Sequence, residues 1–92
     1  MVIGWDEPKR LRNLEVHGFD FADVERSFDF AEATISPGHP GPDGRRRWVA
    51  TGFLGDDLVS VVFAPLGTEA VSLISVRIAS RKERKRHNAT PP

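Results

Sequence analysis

The chain contains no cysteine. Disulfides, thiolate nucleophiles and cysteine-held zinc are excluded together, and a reducing compartment suits such a sequence. Long apolar runs are missing as well. Nothing approaches the roughly 18 residues of a membrane helix. The first residues, MVIGWDEP, carry acids where a secretory signal is apolar. Neither a membrane span nor a signal peptide is expected, and the expected location is the cytoplasm.

Several chemical motifs are also missing. The histidines, His17, His39 and His87, are scattered, with no H-E-x-x-H pattern and no carboxylate cage. No metal site is expected from them. The stretch SPGHPGPDG at 36–44 is too rich in proline to present a nest of N–H groups to a phosphate. No serine stands in a nucleophile-elbow context. No cofactor is expected.

Net charge is absent too, with thirteen Lys and Arg against thirteen Asp and Glu. That balance conceals an asymmetry. Residues 1–44 hold nine acids and four bases, and residues 45–92 hold nine bases and four acids. Six of the bases fall between Arg77 and Arg86. A small protein with one strongly basic end meets something anionic there: an RNA, a DNA or an acidic protein.

Ninety-two residues make one small domain. Such a chain buries about 60–65% of its unfolded surface, so its core is thin. Residues 2–5 read as a strand. Asp6 is placed as an N-cap, with Glu7 and Pro8 in the first turn of a helix over 7–16. Leu11 and Leu14 would share its apolar face, and Gly18 is a natural stop. Asp20 caps a second helix over 21–29, with Phe21, Val24 and Phe28 on one stripe and Asp23 completing a weak capping box. Residues 36–44 are a loop. Strands follow at 45–53, 58–64 and 70–78, with turns at 54–57 and 65–68, as an antiparallel meander. A short basic helix over 79–87 closes the domain, and 88–92 form a flexible tail. The fold class is α+β, in the order β-α-α-(β)-β-β-β-α. Val59, Val61 and Phe63 alternate with Leu58, Ser60, Val62 and Ala64, so the middle strand is apolar on both sides. Either the last helix or a partner covers the second side.

Three groups of residues can carry chemistry. Arg77 lies inside a β pattern, where its guanidinium is aimed and can clamp a phosphate. Beyond it, Arg81 and Arg84 are suited to steering a polyanion, whereas Lys82, Lys85 and Arg86 also read as a solubilising surface. The second group is Arg45-Arg46-Arg47-Trp48. Strand alternation would put Arg45 and Arg47 on one face and bring Arg47 near Arg77. Trp48 either fills the core or stacks a base. The third group is Lys9, Asn13 and His17, which step by four along one helical ribbon. A lysine, an amide and a histidine in line can bind a phosphate and move a proton near neutral pH, or form a solvated helix face. His39 is expected to be exposed in the loop, and His87 follows the basic helix.

At these residues the chain resembles the BrnT family of bacterial type II toxins. The resemblance is carried by Trp5-Asp6, Lys9, Asn13, His17-Gly18, Phe21 and Phe28. It continues at Arg47 and Gly52, and ends on Ile74-Ser75, Arg77, Ala79, Arg81, Glu83 and Arg84. It runs from Trp5 to Arg86 with matching order and spacing. It implies a RelE-like fold and an endoribonuclease that blocks translation. It also implies a BrnA-like antitoxin with a ribbon-helix-helix domain, a toxin–antitoxin hetero-oligomer, and DNA contacted mainly through the antitoxin. The chain departs from the family pattern at Val16, where a lysine is usual, and at Arg46, where a glutamate is usual. It departs again at Ser72, where an arginine is usual, and at His87, where a tyrosine is usual.

The expected reaction is metal-independent RNA cleavage. A base removes the 2′-hydroxyl proton, the oxygen attacks phosphorus, and an acid protonates the leaving 5′-oxygen. Lys9 and His17 are the candidates for base and acid, and Arg47 and Arg77 for holding the phosphate. Arg81, Arg84, Asn13 and His87 are the candidate RNA contacts. The departures carry two alternatives. One is a weakened or inactive nuclease whose role is to bind its antitoxin, and the other is a non-enzymatic nucleic-acid-binding protein.

Overall fold

The computed structural model describes residues 1–89. In chain order the elements are β1 (Val2–Trp5), α1 (Glu7–His17), α2 (Phe21–Ser27), a 3₁₀ turn (Phe30–Glu32), β2 (Thr34–Pro37), β3 (Trp48–Leu54), β4 (Asp57–Leu66), β5 (Ala70–Ile78) and α3 (Arg81–Ala89). The strands form one sheet in the order β1-β5-β4-β3-β2. β1 runs parallel to β5, and the other pairs are antiparallel. The α+β class, the N-terminal helix pair and the basic closing helix are as expected.

The alternation in β4 sets the layers. Val59, Val61 and Phe63 join Phe21, Val24 and Phe28 in the main core, with Ala50, Leu73 and Val76 beside them. Leu58, Ser60 and Ala64 are buried on the opposite face. That face is covered by α3: His87 reaches Thr34 on β2 and meets the ring of Phe53 on β3 edge-on. Of the two covers the alternation allowed, the last helix is the one present. The hydroxyls of Thr51 and Ser60 bond each other at 2.9 Å beneath it, so neither is left unpaired in the interior.

Local chemistry sets the boundaries. Gly18 ends α1 in the left-handed region, φ 78°, with its N–H on the Leu14 carbonyl at 2.9 Å. Asp20 caps α2 by accepting from Ala22 N–H at 2.9 Å, and Arg10 donates to both Asp20 oxygens, tying α1 to α2. Asp6 has the extended backbone of an N-cap, but its side chain makes no capping bond. α2 stops at Ser27, two residues short of expectation. Phe28 turns extended to bury its ring, and Asp29 opens the 3₁₀ turn by accepting from Ala31 N–H.

β3 begins at Trp48, so Arg45, Arg46 and Arg47 precede the strand, and the alternation expected of them does not apply. The ladder with β2 ends at Pro37–Trp48 because the chain beyond runs through Pro40 and Pro42, which have no N–H to donate. Single bonds continue past it, from Gly38 N–H to the Arg47 carbonyl and from Gly41 N–H to the Arg45 carbonyl. Pro37 itself sits on an outer strand, where the missing donor costs nothing. β4 is longer than expected at both ends and pairs through Pro65 to Leu66, while β5 spans the expected 70–78. α3 is displaced two residues toward the C-terminus because Ser80 caps it. Ser80 Oγ accepts from Glu83 N–H at 3.1 Å, and Glu83 Oε1 accepts from Ser80 N–H at 2.8 Å. Asn88 and Ala89, expected in a tail, complete α3, and 90–92 lie outside the described residues. Among the described residues no helix is long and apolar enough to cross a membrane.

Candidate functional site: a cationic trough

The ribbon of Lys9, Asn13 and His17 is divided by the sheet edge. Leu11, expected on the inward face of α1, is 54% exposed, and Asn13 is the buried residue of the helix. The cause is tertiary. β1 pairs with β5 only at 70–73, leaving the later part of β5 without a neighbour on that side. The Asn13 amide takes the place of the missing strand. Nδ2 donates to the Val76 carbonyl at 3.0 Å and the Phe19 carbonyl at 2.9 Å, and Oδ1 accepts from Val76 N–H at 3.0 Å. Asn13, expected to contact RNA, is committed to the fold. Lys9 and His17, one turn to either side, remain exposed.

These two line a hollow of about 660 Å³ between α1, the loop before β3, and β5. Arg12 joins them from α1, and Asp43 and Arg47 face them from the loop. The floor includes Ile74 and Ser75, at an irregularity in β5. Val62 pairs with Ser75 and Phe63 with Leu73, so Ile74 is an extra residue with no partner on β4. Such a bulge re-aims side chains beside a site. Arg47 is half-buried, with its guanidinium against Gly41. A Cβ on Gly41 would lie 2.6 Å from Arg47 Nη2, so the loop accommodates that pose because residue 41 has no side chain.

A second hollow of about 420 Å³ continues from the first, sharing Arg47, Ile74 and Ser75. Val49 and Val62 lie at its base, and His39 and Lys82 stand at its rim. Together the two form a trough from α1 to α3 in which bases outnumber acids.

Arg77 borders the second hollow in a different state from the one expected. Its guanidinium is paired bidentately with Glu83, Nη1 to Oε1 at 2.6 Å and Nη2 to Oε2 at 2.9 Å. That pair holds the Glu83 carboxyl at about 2, well below the usual range, and raises Arg77. The pair fastens α3 to β5, and the charge of Arg77 is largely spent on it.

The basic helix is phased differently from its expected roles. Arg81 and Arg84 are exposed and line neither hollow, whereas Lys82 and Arg86, four residues apart, line the second. His87 lies outside both. Its Nδ1 is 2.8 Å from Thr34 Oγ1, and its ring meets Phe53 edge-on. Trp48 packs against the core, and the Arg46 guanidinium lies 4.9 Å from its ring centroid, where a base would have stacked. Val16 borders the first hollow. Arg12, one turn before it, is a further cation of the hollow, and its spacing of three from Lys9 is the signal in the sequence that places it there.

A five-stranded sheet with helices on both faces, carrying a basic trough over a bulged strand, defines a small α+β protein with a cationic site. Residues 5–83 match the family described as the ribonuclease toxin, BrnT, of type II toxin–antitoxin systems, and the chain belongs to that family. The fold is similar to that in the 1.1 Å crystal structure of the Brucella abortus ribonuclease toxin BrnT. The TM-score is 0.72 at 44% sequence identity, over 88% of this chain and 99% of that one. A comparison with curated protein sequences found no match.

Proposed function

We propose that the chain is the toxin of a type II toxin–antitoxin pair and cleaves RNA in the first hollow without a metal ion, thereby stopping translation. The observation that supports this reading is the convergence of Lys9 and His17 with Arg47, from elements far apart in sequence, around one open hollow. A base removes the 2′-hydroxyl proton, and the oxygen attacks the adjacent phosphorus. The leaving 5′-oxygen is protonated, giving a 2′,3′-cyclic phosphate and a 5′-hydroxyl. His17 and Lys9 carry the two proton transfers, and Arg47 holds the phosphate as charge develops on it. Arg77 enters as a positioning residue, through the ion pair that seats α3. The charge of the hollow favours a metal-free route. Among the described residues Asp43 is the only carboxylate lining it, while magnesium is held by carboxylates.

The partner in this proposal is a BrnA-like ribbon-helix-helix antitoxin, which carries the DNA contacts of a hetero-oligomer in the cytoplasm. The test is cleavage of a single-stranded RNA in EDTA, with end-group analysis. The expected result is undiminished cleavage leaving cyclic phosphate ends, abolished by a 2′-deoxy substitution at the cleaved position. Loss of cleavage in EDTA, or cleavage of the deoxy substrate, overturns the mechanism. If the folded protein cleaves no RNA and binds its antitoxin tightly, the antitoxin-binding alternative replaces it. Arg46, which stands where the family has a glutamate and is stacked on Trp48, is the departure that favours that alternative.

A further inference from the structure

We propose that the second hollow is a nucleotide subsite for unpaired RNA. It seats one base flanking the scissile phosphate and holds the backbone at its rim. The inference rests on the reading of the first hollow as the cleavage site, and it adds the class of RNA taken and the side chains that select it.

Four observations carry it. The hollows are joined, sharing Arg47, Ile74 and Ser75, so a strand with a phosphate in the first has a path into the second. The second hollow is amphipathic in the way a nucleotide requires. Val49 and Val62 give it an apolar base, and the cation of Lys82 and the ring of His39 stand at the rim. Its volume of about 420 Å³ falls within the roughly 300–1,000 Å³ of small-molecule sites. The one carboxylate on its wall, Glu83, is neutralised by Arg77 and does not repel a phosphate.

A base reaches that apolar floor only when it is splayed out of a stack. In an A-form duplex the bases are paired and the grooves present backbone and 2′-hydroxyls, so the subsite selects single strands. His39 is exposed on the loop and has the flat face on which a base stacks. Lys82 projects from the first turn of α3, where its ammonium neutralises a phosphate as a point charge.

The test uses a 2′-O-methyl RNA hexamer, which cannot be cleaved, as single strand and as duplex. Affinity is read by fluorescence anisotropy over a range of salt for the wild-type chain, His39→Ala and Lys82→Ala. Both side chains are exposed, and unchanged thermal melting checks the fold of each variant. The single strand should bind tighter than the duplex. His39→Ala should weaken single-strand binding about fivefold, the low end for a lost stacking contact. Lys82→Ala should make the slope of log K against log salt shallower by about 0.7, one single-strand phosphate contact.

Wild-type affinity and slope in both variants overturn the subsite, and cleavage by the same proteins then leaves the nuclease reading standing. Hexamer binding that responds as predicted, with no cleavage of any RNA, sinks the nuclease reading and keeps the subsite as a binding site. Variants that weaken only the antitoxin complex, and not hexamer binding, assign the hollow to the protein partner and overturn the proposal.

Discussion

Asn13 holds the free edge of β5 through two hydrogen bonds, to the N–H and C=O of Val76, and makes a third to the Phe19 carbonyl. A buried backbone group that loses its partner costs about 1–3 kcal/mol. Asn13→Ala strands both groups of Val76, and we expect it to lower unfolding free energy by about 2–4 kcal/mol, read from urea denaturation. A change under about 0.5 kcal/mol, typical of an exposed helix position, would contradict the clasp. The same residue explains why the ribbon on α1 was only partly legible. A spacing of four put Lys9, Asn13 and His17 in line, but nothing local records that β1 is too short to cover β5. That shortfall turns α1 so that an amide faces inward and Leu11 faces out. Arg47 is a similar case. Its guanidinium lies against a bare Gly41 at the hollow lined by Lys9 and His17, a placement that appears only once helix, strands and loop are assembled.

Among the elements, α3 is fastened to the sheet by charge. The Arg77–Glu83 pair and the Ser80 cap converge on one carboxylate, and that carboxylate sets a pH dependence. The folded Glu83 carboxyl titrates at about 2, below its ordinary 4.5, so the folded state favours the charged form. Its stabilisation is complete above about pH 4.5 and is lost as pH falls toward 2. After discounting for the partial exposure of Arg77, the contribution is about 2 kcal/mol. Glu83→Gln should therefore be less stable than wild type by about that amount at pH 7, and the difference should vanish near pH 2 in parallel urea melts. A constant difference across that range would remove the ion pair from the account. Elements were the most legible level of this sequence. Alternation and glycine turns mark β4 and β5, where Gly55 and Gly67 carry positive φ. The Ser-x-x-Glu signature at 80–83 marks the true start of α3, two residues beyond the start at 79 that composition suggests. β3 begins later than the alternation suggests because three arginines continue the pattern into a stretch whose opposing chain is interrupted by Pro40 and Pro42.

At the scale of the whole molecule, the acidic and basic halves of the chain do not simply form a negative end and a positive tail. The fold brings Lys9 and Arg12, from the acidic half, to the same trough as Arg47 and Lys82, from the basic half. It quiets Arg77 with Glu83. What faces the trough is a selected set of cations from three parts of the chain, which no tally of charge along the sequence would assemble. The central claim is that the first hollow cuts RNA. The most direct test is the single-turnover rate of cleavage of one single-stranded RNA in EDTA, by wild type and by folded His17→Ala and Arg47→Ala. Arg26→Ala, which removes an ion pair to Asp23 on α2, serves as the control. The account predicts losses of about 10²-fold or more for His17→Ala and Arg47→Ala, the usual range for a proton-transfer group or a transition-state donor, and none for the control. Wild-type rates in both hollow variants would contradict it.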